Sequence, residues 1–171
     1  FFVLMGAACG FLMVMYIDKF TTQRTIHEEV LSLIGLLLVM YVAILVQMIV
    51  HEAGHLVFGL LSGYKFSSFR IFSFMWVKED DKIRLRRFSI AGTGGQCLMT
   101  PPDMVDGKIP VVFYNLGGAL MNIIVGVVSL GLFFFFENVP FLSTVMLMFA
   151  VIGFILALMN GIPMRLGTVD N

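Results

Sequence analysis

Residues 31–61 read LSLIGLLLVMYVAILVQMIVHEAGHLVFGLL, an apolar run in which the only His, Asp, Glu, Lys or Arg side chains are those of His51, Glu52 and His55. At about 1.5 Å per residue, a helix of this length exceeds the roughly 30 Å hydrocarbon core of a bilayer. We therefore expect a transmembrane helix that tilts, kinks or projects beyond the membrane. An ionisable side chain at the bilayer centre costs about 2.5–3.5 kcal/mol on insertion scales, so three of them in one helical turn predict a functional site.

The pentapeptide His51-Glu52-Ala53-Gly54-His55 has the HExxH pattern of zinc sites. Residues i and i+4 share one face of a helix, so both imidazoles can bind one Zn²⁺ while Glu52 reaches a metal-bound water. Such a zinc ion needs a third protein ligand and an open coordination position. The pattern predicts hydrolytic zinc chemistry within a membrane, with His51 and His55 as ligands and Glu52 as general base.

The composition agrees with a membrane setting. Hydrophobic residues make up 59% of the chain and charged residues 13%, against roughly 45–50% and about 25% in soluble domains. The formal net charge of zero gives no reason to expect a nucleic-acid partner. Cys9 and Cys97 are too few and too far apart for a zinc knuckle, a CxxC pair or a disulfide framework, so we interpret both as ordinary thiols.

The predicted fold is an all-α polytopic membrane protein of about four transmembrane helices, in a single domain of residues 1–171. The spans are predicted at 1–17, 31–61, 111–136 and 141–159. The short connection 137–140 predicts that the last two are antiparallel, and Gly117, Gly118 and Ala119 would let the third span approach the HEAGH helix closely. Phe1 is not an initiator methionine and the opening run has no basic leader, so we expect a piece of a longer protein rather than a signal peptide.

A polar insert, 63–110, separates the second and third spans. Residues 66–77 are rich in aromatic and branched residues, Lys82 to Arg86 alternate basic with apolar, and Glu79 to Asp81 supply a turn. We therefore predict a small interfacial β-hairpin within 66–90, which either is a solvated scaffold or binds substrate. The glycine-rich stretch 91–96 lacks the lysine of a phosphate loop, so no nucleotide site is expected.

The distribution of Lys and Arg predicts the orientation, since cytoplasmic loops carry the excess. The insert 63–110 has eight, residues 18–29 have two and the 137–140 loop has none. We expect a bacterial cytoplasmic membrane protein whose N-terminus, insert and C-terminal tail are cytoplasmic. His51 and His55 would then lie about 9–15 Å inside the cytoplasmic end of their helix.

The third zinc ligand has few candidates. Asp170 follows the helix-breaking Gly161 and Pro163, where non-helical backbone can line a water-filled cavity at membrane depth. The spacing leaves open whether Asp170 is a ligand or only the polar end of a span. The other candidates lie in the opposite loop or in a solvated stretch; they are Asp18, His27, Glu28, Glu29, Asp103 and Asp106.

From the second span to the C-terminus, the chain resembles the site-2 proteases, the intramembrane zinc metalloproteases of peptidase family M50. Their hallmarks are HExxH on one transmembrane helix, matched by His51, Glu52 and His55, and an Asn-Pro…Asp motif on a later one, matched by Asn160, Pro163 and Asp170. Asn122 resembles the asparagine of the family's small-residue segment. The chain departs from the family in its ten-residue spacing from Asn160 to Asp170 and in the Asn171 that follows.

The resemblance implies Zn²⁺ held by His51, His55 and Asp170, and peptide-bond hydrolysis in or near a transmembrane segment of a single-span membrane protein or peptide. Asn122 and Asn160 are candidates to bind the oxyanion or the substrate backbone, or else are polar contacts between helices. Two alternative functions are compatible with the same motif and fold: a membrane metal-ion transporter and a catalytically silent membrane scaffold.

Overall fold

The fold is described from a computed structural model that covers residues 25–90 and 93–162, together with positions 6, 7, 10, 11, 14 and 15. Three long helices dominate it: α1 (Ile26–Leu61), α2 (Val111–Phe135) and α3 (Pro140–Gly161). Each is long and apolar enough to cross a membrane, as expected of an integral membrane protein. The predicted first span, 1–17, lies largely outside the described residues, so the count of about four spans is not confirmed.

The helix bounds agree with the prediction for the three later spans, with one extension. Helix α1 begins at Ile26 rather than at residue 31 because Thr25 and Glu28 cap it. The Glu28 carboxylate accepts a hydrogen bond from the backbone N–H of Thr25 at 2.9 Å, which satisfies an amide that the helix leaves free. Helix α3 begins with Pro140 at its first position, where a missing N–H costs nothing.

The insert between α1 and α2 is a four-stranded antiparallel sheet with the order β3-β2-β1-β4. Its strands are β1 (Lys65–Ile71), β2 (Phe74–Glu79), β3 (Lys82–Arg87) and β4 (Gly95–Thr100). The turn predicted at Glu79 to Asp81 is confirmed, since Glu79 pairs with Lys82 across it. Asp80 and Asp81 both have positive φ, 49° and 59°, as a two-residue hairpin turn of this hand requires.

The prediction of a single hairpin was wrong in two places. Residues 66–77 form two strands, with a turn at Phe72 that brings Ile71 opposite Phe74. No Gly, Pro, Asn or Asp marks this turn, although Phe72 adopts a φ of 51°. The sheet also extends beyond the predicted hairpin, since the glycine-rich stretch leads into β4, which pairs with β1 across more than twenty residues of sequence.

Small residues bring α1 and α2 into close contact, as predicted for the Gly117 region. A Cβ atom added to Gly117 would lie 2.7 Å from the carbonyl oxygen of Gly54 in α1, so the two helix backbones touch. Helix α3 is tied to α1 by Gln47, whose side-chain amide donates to the carbonyl of Phe149 at 2.9 Å. The fold thus holds the HEAGH segment between α2 and the sheet.

Candidate active site

The two histidines of α1 converge at their ring tips. His51 Nε2 and His55 Nε2 are 3.2 Å apart. Two nitrogens bound tetrahedrally to one zinc ion, each at about 2.05 Å, are separated by about 3.3 Å. The pair therefore has the spacing that two ligands of a single zinc ion need.

A backbone carbonyl of α2 orients His55. The Nδ1 atom of His55 lies 2.7 Å from the carbonyl oxygen of Tyr114, a hydrogen bond that requires the proton on Nδ1. The lone pair of Nε2 is then free for a metal ion. Metal-binding imidazoles usually donate their other N–H in this way, which fixes the tautomer and the orientation of the ring. The Tyr114 ring in turn stacks on Tyr64 with centroids 4.7 Å apart, which fixes the start of the sheet against α2.

The ring of His51 packs on a glycine of α2. A Cβ added to Gly118 would lie 2.5 Å from both Cε1 and Nε2 of His51, so only glycine leaves room for the imidazole there. Nδ1 of His51 is buried and has no hydrogen-bond partner among the described residues. His51 is thus positioned mainly by its packing on Gly118, with no partner for its Nδ1 atom.

Glu52 lies against the first residue of β4. A Cβ on Gly95 would be 2.5 Å from Cγ and 2.8 Å from Oε1 of Glu52, so a side chain at this position would displace the carboxylate. The carboxylate also faces the backbone N–H of Cys97. Strand β4 therefore forms one wall beside Glu52.

Two cavities meet at Glu52 and Gly95. One has a volume of about 440 Å³ and includes His55, and the other has about 260 Å³ and includes His51. The first is also lined by Gln96, Cys97, Leu98, Tyr114 and Asn115; the second by Ile44, Met48, Gly94, Asn122, Leu156 and Asn160. A larger cavity of about 590 Å³ between α2 and α3 has only apolar lining residues and offers no chemistry.

Both candidate asparagines line the cavity that contains His51 and Glu52. Asn122 is fully buried, and neither polar atom of its side chain has a hydrogen-bond partner among the described residues. Asn160 is exposed and donates from Nδ2 to the carbonyl of Leu156 at 2.9 Å, one turn earlier in α3. Asn122 is therefore the candidate asparagine that is both buried and without a side-chain hydrogen-bond partner among the described residues.

The predicted third ligand, Asp170, lies outside the described residues. Within 25–90 and 93–162, no three His, Cys, Asp or Glu side chains cluster as a metal site. The alternative carboxylates Asp103 and Asp106 are solvent exposed. The His pair thus remains one ligand short in the part of the chain that the structure describes.

Sequence reasoning missed the contribution of β4 and of two residues that hold it. The Tyr114 hydroxyl donates to the carbonyl of Cys97 at 2.9 Å, and the buried Arg70 donates to the carbonyl of Gly95 at 3.4 Å. Burial raises the pKa of the Cys97 thiol to about 11, and the Glu52 carboxylate adds to the shift. The sequence did offer one indication of this role, because Arg70 is an arginine within a strand that is rich in aromatic residues.

A known protein family matches most of the chain. The profile of the family described as Peptidase M50B-like matches residues 29–166, which is 138 of the 171 residues. No curated protein and no solved structure matches the chain. Since this profile covers α1, the sheet, α2 and α3, the chain belongs to the peptidase M50B-like family, in agreement with its resemblance to the site-2 proteases.

Proposed function

We propose that this protein is an intramembrane zinc metalloprotease, which hydrolyses a peptide bond in or near a transmembrane segment of a membrane-protein or membrane-peptide substrate. The observation that carries the proposal is the convergence of His51 and His55 to an Nε2 separation of 3.2 Å on an apolar helix, with Glu52 beside them. Membership of the peptidase M50B-like family favours the same activity.

The residues present fit a zinc ion. His51 and His55 would bind it, His55 with its tautomer set by the Tyr114 carbonyl. Asp170 is the proposed third protein ligand, by its resemblance to the motif of the family. When bound there, zinc lowers the pKa of a coordinated water to about 7 and polarises a carbonyl oxygen.

Glu52 carries the proton transfers. Its carboxylate accepts the proton of the attacking water and then donates it to the amide nitrogen that leaves. Gly95 leaves space for the carboxylate against β4, which keeps it at the junction of the two cavities. Asn122, with an unsatisfied side-chain amide in the same cavity, is the proposed donor to the oxyanion or to the substrate backbone.

Strand β4 is the proposed site for an unwound substrate. The N–H of Phe72 donates to the carbonyl of Gly94 at 2.8 Å, so alternate residues from Gly94 onwards direct their backbone groups towards β1. Gly95 and Cys97 therefore direct theirs to the outer edge, beside Glu52. The Cys97 carbonyl on this edge accepts from the Tyr114 hydroxyl and its N–H faces Glu52, so an extended substrate would add as a further strand by exchanging these contacts for its own. The 66–90 hairpin, our first candidate, ends in β3 on the opposite side of the sheet.

The two alternatives have less support. A transporter requires a path of ionisable groups through the membrane, whereas α2 and α3 contain no Asp, Glu, His, Lys or Arg. A silent scaffold predicts loss of a ligand or of the base, and the HExxH residues are all present. For the membrane, we propose the bacterial cytoplasmic membrane, with the active site nearer the cytoplasmic face.

Cleavage of a single-span substrate in detergent or vesicles tests the proposal. A zinc chelator should abolish cleavage and added Zn²⁺ should restore it, and Glu52→Gln should be inactive. Glu29→Gln is the matched control, since it makes the same change in the same helix about 34 Å away. A Glu52→Gln variant that cleaves as fast as Glu29→Gln, or zinc uptake into vesicles without any cleavage, would reject the proposal.

A further inference from the structure

Arg70 is a buried cation in the middle of β1. Its side chain is 1% exposed, although a guanidinium in a protein is always charged. No carboxylate in the described ranges 25–90 and 93–162 lies within ion-pair distance of it. A buried charge without a paired carboxylate needs other polar contacts to remain there.

Those contacts all lie at the junction between β1 and β4. Arg70 Nη1 donates to the carbonyl oxygens of Phe72 at 2.8 Å and of Thr93 at 3.4 Å. Nη2 donates to the Thr93 hydroxyl and, at 3.4 Å, to the carbonyl of Gly95. One guanidinium thus joins the end of β1 to the first residues of the segment that becomes β4.

Glu52 contacts the same segment. Gly94 and Gly95 line the cavity that contains His51 and Glu52, and Gly95 also lines the cavity that contains His55. The carboxylate of Glu52 packs on Gly95 and has an attractive electrostatic interaction with Arg70. The segment held by Arg70 is therefore the wall against which the proposed general base rests.

We propose that Arg70 is a positioning residue for Glu52, acting through the hydrogen bonds that fix Thr93 and Gly95. The inference rests on the proposed function, since it assigns Glu52 the proton transfers. A displacement of about 1 Å between catalytic groups can lower a rate about 10²-fold. If Gly95 were free to move, the Glu52 carboxylate that packs on it would shift as well, and kcat would fall. The hydrogen bonds of His51 and His55 go to each other and to the Tyr114 carbonyl rather than to this segment, so zinc binding should be independent of Arg70.

Lysine cannot replace Arg70 in this role. The four acceptors, which are three carbonyl oxygens and one hydroxyl, surround a planar fork of N–H donors. An ammonium group has three donors on one nitrogen and cannot reach acceptors on both sides. Arg70→Lys keeps the charge but should leave the Thr93–Gly95 segment free to move.

The test is a matched pair at Thr93, which avoids removing a buried charge. Thr93→Val keeps the side-chain shape but deletes the hydroxyl, which accepts from Arg70 and donates at 3.4 Å to the Ile90 carbonyl, whereas Thr93→Ser keeps the hydroxyl. We expect Thr93→Val to lower kcat about tenfold, with KM and zinc content unchanged, and Thr93→Ser to behave as the parent. Arg70→Lys should lower kcat about 10²-fold.

Amide hydrogen exchange is the second readout, and it does not depend on cleavage. The Phe72 amide donates to Gly94, and the Cys97 amide faces Glu52. Both should exchange faster in Thr93→Val than in Thr93→Ser. Equal exchange in the two variants, or faster exchange with an unchanged kcat, would overturn the inference. A parent protein that cleaves nothing would reject the proposed function, and the exchange comparison would still decide whether Arg70 fixes the wall beside Glu52.

Discussion

The contact between Gly118 and His51 gives a sharp prediction for Gly118→Ala. The new Cβ would lie 2.5 Å from Cε1 and Nε2 of His51, whereas carbon atoms in contact prefer about 3.5–4.0 Å. The imidazole must therefore move by about 1 Å or more. A ring at the end of a side chain can make such a shift, so the helices should remain packed.

The same shift is large for a metal site, where bond lengths vary by only about 0.2 Å. We expect Gly118→Ala to lose most of its zinc affinity and to cleave at least about 10²-fold more slowly than the parent, with nearly unchanged helix content. Gly131→Ala is the matched control, because it lies in the same helix and its Cβ would meet no atom within 4 Å.

Zinc content after dialysis and cleavage of a single-span substrate should be measured on the same samples. The control should match the parent in both. If Gly118→Ala held one zinc ion with the affinity of the parent and cleaved at its rate, the position assigned to His51 would be wrong.

Three further predictions concern packing, the thiol and the third ligand. Gly117→Ala places a Cβ 2.7 Å from the backbone oxygen of Gly54, which cannot rotate away, so we expect about 1–3 kcal/mol of destabilisation and a lower Tm than for Gly35→Ala, whose Cβ meets nothing. Because the pKa of Cys97 is raised to about 11, its alkylation at pH 8 in a Cys9→Ser background should be about 100-fold slower than that of an ordinary thiol. The alkylation rate should rise steeply towards pH 11. The folded state holds this proton more tightly than the unfolded chain, so the contribution of Cys97 to the free energy of unfolding is present below about pH 9 and is lost as the pH rises to 11. Fast alkylation at pH 8 would show that Cys97 is not buried beside Glu52. Asp170→Asn should weaken zinc binding in equilibrium dialysis, whereas Asp103→Asn should not; equal affinities would remove Asp170 from the ligand set.

Apolar length and local motifs were sufficient to predict the helical part of the fold. The three later spans are helices close to their predicted bounds, because an apolar segment in lipid has to satisfy its backbone internally. The five-residue extension of α1 depends on a Thr25–Glu28 cap, which an apolar window does not detect.

The sheet could be predicted only in part. The β2–β3 hairpin has a local signal in the acidic turn around Asp80. The turn at Phe72 has none, since its residue types favour a strand and tertiary pairing overrides that preference. Pairing of β4 with β1 is a non-local contact, and Gly95 at its start leaves room for Glu52, which no local pattern indicates.

The residues of the candidate site also fall into those that the sequence predicts and those that it does not. His51, Glu52 and His55 follow from helical periodicity, and the structure brings Asn122 into a cavity with His51 and Glu52. The supports from Tyr114 and Arg70 arise from contacts between separate elements, so no spacing in the sequence predicts them. The small residues at 117–119 did predict a close approach of α2 to the HEAGH helix, although not the contact between Gly118 and the His51 ring.

The most direct test of the central claim measures zinc content and cleavage together in Glu52→Gln. The account predicts one zinc ion per chain, as in the parent, with cleavage of a single-span substrate reduced at least about 10²-fold, since general acid–base catalysis supplies that much or more. A Glu52→Gln variant that retained zinc and still cleaved at the rate of the parent would contradict it.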